Sequence, residues 1–143
     1  EETGLTEHHL AEHVKHVLSD EDLAGPFSSG ATPFEAMVIL PCSISTMAKI
    51  ACGIADTALT RAAAVALKER RRLIIGLRET PLSTISLEQA YKLSLAGAII
   101  MPLTPPFYHK PVSLEHMVQQ FNNKVLALLG VSSGLPWRAE VLD

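Results

Sequence analysis

Short apolar runs at Ala36–Leu40, Arg72–Leu77 and Ala98–Met101 stand apart from longer stretches whose apolar residues recur at helical spacing. The short runs predict strands and the periodic stretches predict helices. Leu5–Leu18 reads as an acidic, histidine-rich amphipathic helix with Leu10, Val14, Val17 and Leu18 on its apolar stripe. An alanine-rich helix follows over about Ser45–Arg70. Another spans Leu87–Leu95, capped by Ser86 with Glu88 in its first turn, and the last opens at Ser113-Leu114-Glu115-His116 and closes at Gly130. Gly25-Pro26 and Ser28-Ser29-Gly30 mark Asp20–Thr32 as a loop, and the proline- and aromatic-rich Pro102–Pro111 is a loop of limited freedom.

Strands alternating with helices imply right-handed crossovers and an α/β fold, a parallel sheet with helices on both faces. Ligands of such sheets sit at the carboxyl ends of the strands. Three strands make a thin sheet, and here a polar helix with no strand before it opens the chain. The domain therefore reads as N-terminally incomplete, or as completed by another chain.

Composition narrows the class. With 143 residues and 48% hydrophobic content the chain is one domain, 1–143, with a lead-in over 1–35, a core over 36–130 and a tail over 131–143. A formal net charge of -3 argues against a nucleic-acid binder, and the basic run Lys68-Glu69-Arg70-Arg71-Arg72 falls where a helix end favours cations. Two cysteines, Cys42 at a strand end and Cys52 inside the following helix, suit a reducing compartment. No apolar run is long enough to cross a bilayer and Glu1-Glu2-Thr3-Gly4 is no signal peptide, so a cytoplasmic protein is expected. Few charges on so small a domain point to surface buried between copies, a homo-oligomer.

Candidate chemistry gathers at the strand ends. Ser43, Ser45 and Thr46 offer hydroxyls, and with Ile44 they offer the first amides of a helix, which have no carbonyl partner within it. Helix capping would use the same groups. Arg78-Glu79 directly follows a buried strand, where charges rarely serve packing, although an ion pair with a helix end is the alternative. Arg61 and Lys68 share one helical stripe that could face a phosphate or be solvated, and Tyr108 and Lys124 meet only if the fold brings them together. His9-Leu10-Ala11-Glu12-His13 has the order of inverted zinc proteases. It lacks a third ligand downstream and reads as a solvent-facing helix, so no metal is expected.

The segments MVILPCSIST, ADTALTRAAAVALKERRRLIIGLRETPLS and GAIIMPLTPPFYHKPVSLEHMV, with Asn123-Lys124-Val125-Leu126, resemble the flavin prenyltransferases of the UbiX and Pad1 family. The resemblance runs from Met37 to Gly130. It implies a flavodoxin-like or Rossmann-like fold and transfer of a dimethylallyl group from dimethylallyl monophosphate to N5 and C6 of reduced FMN. It also implies a dodecameric homo-oligomer and a product used by UbiD-type decarboxylases. By the same resemblance Ser43, Ile44, Ser45, Thr46 and Arg78 contact the flavin and Glu79 manages protons. Tyr108, Lys124, Arg61, Lys68 and Trp137 belong to the prenyl phosphate site.

Two departures stand out. Ser43-Ile44-Ser45-Thr46 replaces the Ser-Met-Gly-Thr common in relatives, and the family's opening strand with its Gly-Ala-Ser-Gly turn is not in these residues. The alternatives are an FMN-dependent cysteine decarboxylase of related fold and a truncated module that binds or assembles without turnover.

Overall fold

The computed structural model describes residues 7–108 and 110–131. Three parallel strands, β1 (Ala36–Cys42), β2 (Arg72–Leu77) and β3 (Ile99–Pro102), form a sheet in that order. β1 and β2 run in register from Ala36↔Arg72 to Ile39↔Ile75, then slip before Cys42↔Leu77. Pro41 falls in this slip, where a residue without an N–H costs the ladder nothing. β2 is central, and its Leu73, Ile74 and Ile75 are fully buried. Burial of each such side chain is worth about 1.5–3 kcal/mol.

Five helices complete the described chain: α1 (Glu7–Ala11), α2 (Ile44–Ala51), α3 (Ala58–Lys68), α4 (Thr84–Leu95) and α5 (Leu114–Leu129). The right-handed crossovers of parallel units place α2, α3 and α4 on one face, where α2 packs on α4. The core there joins Ile39, Met47, Ala63, Leu73, Ile75 and Leu93. Strand alternation turns Leu40 to the other face, where it lines one hollow with Leu103, Val118 and Phe121 of the segment that leads into and through α5. An Arg72 Nη1 bond of 2.7 Å to the Leu128 carbonyl ties the end of α5 to the start of β2.

Several boundaries differ from the sequence expectation. The single helix over Ser45–Arg70 is two, because Gly53 takes a left-handed φ of 74° after α2 and leaves Cys52 as its C-cap rather than a residue inside it. Thr57 then restarts the chain as the N-cap of α3, in a reciprocal capping box with Thr60. α4 begins one turn early, since Ser83 rather than Ser86 is its cap; the Ser83 hydroxyl accepts from the Ser86 N–H at 3.1 Å. The lead-in helix stops at Ala11. Leu10, Val14, Val17 and Leu18 are each 40–51% exposed, so the stripe that would have held a longer helix gains little by forming it.

The lead-in segment is instead fastened by polar bonds. Asp20 accepts from the N–H groups of Ala58, at 2.8 Å through its carbonyl, and Leu59, at 2.9 Å through its carboxylate, satisfying two amides at the start of α3. Arg71 donates to the Thr32 and Gly30 carbonyls, both at 2.8 Å, and lies over the Phe34 ring at 4.4 Å. Two members of the basic run, Arg71 and Arg72, thus hold distant backbone rather than merely ending a helix. α5 begins and ends as its sequence predicts, with Ser113 accepting from the His116 N–H at 3.1 Å and Gly130 left-handed at φ 81°.

Candidate functional site

The three strands deliver their carboxyl ends to one place. The Arg78 N–H donates to the Cys42 carbonyl at 3.3 Å, and the Leu103 N–H donates to the Leu77 carbonyl at 2.8 Å. These two bonds carry the ladder past β2 and hold the segments after each strand side by side. Between them lies a depression of about 550 Å³, floored by Leu77, Leu82 and Pro102 and edged by Arg78, Glu79, Thr80 and Thr104. Sites for small molecules commonly enclose about 300–1,000 Å³ with apolar walls and a few polar groups.

Gly76, one residue before Leu77, lets β1 and β2 lie close together just ahead of the depression. A Cβ at this position would run into the Leu40 side chain and come within 3.0 Å of the Ile39 carbonyl. Arg78 and Glu79 are exposed, and the Glu79 carboxylate accepts from the Thr80 N–H at 3.0 Å. The carboxylate is thereby curled onto its own turn at the rim.

The start of α2 abuts this rim through Cys42. Ser43 is its N-cap: the hydroxyl accepts from the Thr46 N–H at 3.2 Å and donates to the Thr46 hydroxyl at 3.0 Å. Ile44 packs its side chain against the core, so only its backbone is available to a ligand. Its amide and that of Ser45 come first in α2, where no helical carbonyl reaches them. Cys42 itself is buried, and that burial pushes its thiol up to about 11, opposed by a bond from the Met47 backbone. It is held as a neutral thiol that donates to the Ser43 carbonyl at 3.4 Å.

Other sequence candidates lie elsewhere. Tyr108 is exposed on the loop that follows β3, and Lys124 is half-buried on α5. Arg61 and Lys68 are indeed on one stripe of α3, but they line a separate depression of about 380 Å³ with Ser28, Ser29 and Gly30. There the Arg61 Nε donates to the Ser28 carbonyl at 3.3 Å, and Lys68 pairs with Glu69 at 2.7 Å. The structure does not bring this pair to the strand-end depression. Trp137 lies outside the described residues. Thr80 and Thr104 were not singled out from the sequence, although each follows a strand end closely enough for the rule that selected Arg78 to have found it.

Among the described residues no group of three or more His, Cys, Asp or Glu is placed to hold a metal ion. The His8 to Glu12 contact of 3.7 Å is an exposed pairing one helical turn apart. No helix among them is long and apolar enough to cross a membrane. A flavin suits the donor set at the strand ends: apolar floor for a ring, amides and hydroxyls at the α2 start for its polar edge, and a guanidinium beside both.

Comparison with known proteins gives this geometry a lineage. The Flavoprotein family model matches residues 3–126. The flavin prenyltransferase UbiX of Thermoplasma acidophilum is 52% identical over 85% of this chain and 68% of its own length. Its counterpart in Methanothermobacter thermautotrophicus is 44% identical over 94% of this chain and 70% of its own. The crystal structure of AnUbiX (PadA1) in complex with FMN and dimethylallyl pyrophosphate superposes with a TM-score of 0.91 and 37% identity, covering 96% of this chain and 74% of that one. A dodecameric FMN-dependent Ubix-like decarboxylase from Escherichia coli O157:H7 gives the same TM-score at 35% identity, over 97% of this chain and 75% of that one. A parallel sheet with its polar groups at the strand ends, and this degree of identity over most of the chain, place it in the flavoprotein family, among the UbiX flavin prenyltransferases.

Proposed function

We propose that the chain acts as a flavin prenyltransferase, joining the dimethylallyl group of dimethylallyl monophosphate to reduced FMN. The observation that carries this reading is the junction of Arg78 and Glu79 with the start of α2, made by the Arg78 bond to the Cys42 carbonyl at 3.3 Å. It joins the cation and carboxylate beside the apolar floor to the segment that opens α2, whose first amides would serve an anionic or polar ligand edge.

Reduced FMN, when bound, supplies the nucleophilic N5 and C6. Arg78, Ser43 and the amides of Ile44 and Ser45 hold its polar edge. Tyr108 and Lys124 take the phosphate. As the allylic carbon–oxygen bond breaks, negative charge grows on that leaving oxygen, and Lys124 with the Tyr108 hydroxyl neutralises it. Glu79, at the rim, receives the proton released when the new bond to C6 forms.

The relatives' oligomers point to the same habit here. Phe107, Val112 and Leu114 are large apolar residues left exposed near the aromatic loop, a surface suited to other copies in a dodecamer. UbiD-type decarboxylases are the recipients of the prenylated flavin in this reading, and the cytoplasm is its compartment. The test is anaerobic incubation of the protein with reduced FMN and dimethylallyl monophosphate, followed by mass analysis of the flavin. A flavin heavier by one prenyl group, with inorganic phosphate released in equal amount, is expected. Bound flavin that gains no mass would sink the transferase reading and leave a binding module.

A further inference from the structure

We infer that His116 is a positioning residue: locked as its Nε2–H tautomer between Val112 and Gln120, it fixes the aromatic loop bearing Tyr108 relative to α5 bearing Lys124. The inference rests on the reading that Tyr108 and Lys124 together hold the prenyl phosphate. The Val112 N–H donates to His116 Nδ1 at 3.3 Å. An amide N–H can only donate, so Nδ1 must present a lone pair and the neutral ring carries its proton on Nε2. Nε2 lies 2.9 Å from Gln120 Nε2, and the oxygen and nitrogen of such an amide are interchanged by a half-turn. A ring N–H facing that amide requires its carbonyl oxygen there and not its NH₂ group. Gln120 Oε1 is buried with no hydrogen-bond partner where it stands, and turning the amide over brings that oxygen to the ring N–H.

The tether matters because, within one chain, little else holds this end of the loop. In the single chain Val112 is 89% exposed and Leu114 69%, so apolar packing within it does not anchor them. His116 occupies the third position of α5, where a capping-box side chain would reach back to the N-cap amide; it reaches one residue further, to the loop. Between Val112 and Tyr108 the chain passes Pro111 and a turn closed by the Lys110 N–H on the Phe107 carbonyl at 3.0 Å. A pinned Val112, a proline of fixed φ and a closed turn leave Tyr108 little freedom to drift from α5.

Nitrogen-15 spectroscopy of the histidine-labelled protein tests the tautomer directly, with His116→Gln assigning the signal. An unprotonated Nδ1 with a protonated Nε2 is expected, and a proton on Nδ1 overturns the inference. Steady-state kinetics test the consequence. His116→Leu should raise KM for dimethylallyl monophosphate about threefold to tenfold, the worth of one hydrogen bond, with kcat and FMN affinity within about twofold. His116→Gln, which keeps an acceptor, should restore KM. An unchanged KM in His116→Leu while Tyr108→Phe raises it overturns the positioning role and spares the phosphate reading. If neither variant moves KM, the phosphate reading fails and the inference falls with it.

Discussion

Two depressions of this molecule are edged by cations, and they differ in what holds those cations. Arg78 stands beyond the end of the central strand, its backbone tied to Cys42, beside an apolar floor of Leu77, Leu82 and Pro102. Arg61 and Lys68 stand on the outside of α3, one bonded to a loop carbonyl and the other to the neighbouring Glu69. Both places have serine or threonine hydroxyls, and the second is the more basic, with two cations where the first pairs Arg78 with the carboxylate of Glu79. What separates them is topology. The first lies where three strands end next to the start of α2, and the second is a fold of surface in which the charges already serve the chain.

The sharpest test of this contrast is Lys124→Ala. If Lys124 neutralises the leaving phosphate, transfer should fall about 10²–10³-fold, the usual loss of one preorganised donor, while flavin absorbance on the purified protein stays. Parallel loss of flavin and turnover would show that Lys124 supports the fold rather than the reaction. Arg78→Ala should act on the other ligand, weakening FMN about tenfold to a hundredfold, as expected when a charged donor is removed. Equilibrium titration with FMN measures it, and an unchanged affinity would remove Arg78 from the flavin site.

Much of this contrast is legible in the amino-acid sequence. The run closed by Arg-Glu locates the end of β2 correctly, since a strand buried on both faces leaves little ambiguity in its composition, whereas proline does not end the others: β1 continues through Pro41 to Cys42 and β3 takes in Pro102. What escapes is settled by single backbone positions and by distant partners. Gly53 sits in a run so rich in alanine that periodicity carries straight through it, yet its left-handed φ divides the helix. Ser83 and Ser86 both look like caps, and their hydroxyls lie 2.9 Å apart, so sequence cannot say which one leads. The seven-residue spacing of Arg61 and Lys68 establishes a shared stripe of α3. It is silent on which part of the molecule the stripe faces, because that depends on the turn at 28–30 docking there.

A smaller effect tests the strand pairing that carries the site. Gly76→Ala introduces a Cβ that collides with Leu40 and approaches the Ile39 carbonyl, so β1 and β2 must part or Leu40 must move. A loss of about 1–3 kcal/mol in unfolding free energy is expected, the range for overpacking a tight site. Chemical denaturation would show it, and wild-type stability would mean that the Leu40 side chain yields at no cost. Ser43→Ala probes the wall beside it. It removes the cap on Thr46, and about 1 kcal/mol of stability should go with it. A disproportionate fall in FMN affinity would mark the hydroxyl as a ligand as well as a cap; a fall in stability alone would assign Ser43 to capping.

The smallest expected effect bears most directly on the two depressions. Arg61→Ala and Lys68→Ala remove groups at the protein surface, where such changes usually shift stability by no more than about 0.5 kcal/mol. Lys68 loses only an exposed pairing with Glu69, and Arg61 one bond to the Ser28 carbonyl. If the strand-end depression alone binds the substrates, transfer by both variants should stay within about twofold of wild type, below the worth of one net hydrogen bond. A tenfold drop with flavin affinity intact would mean that these cations reach a substrate after all. Since the stripe faces away from Arg78 within one chain, that substrate would have to lie against a second copy, and mixing Lys68→Ala with Lys124→Ala protein should then recover part of the activity that each has lost.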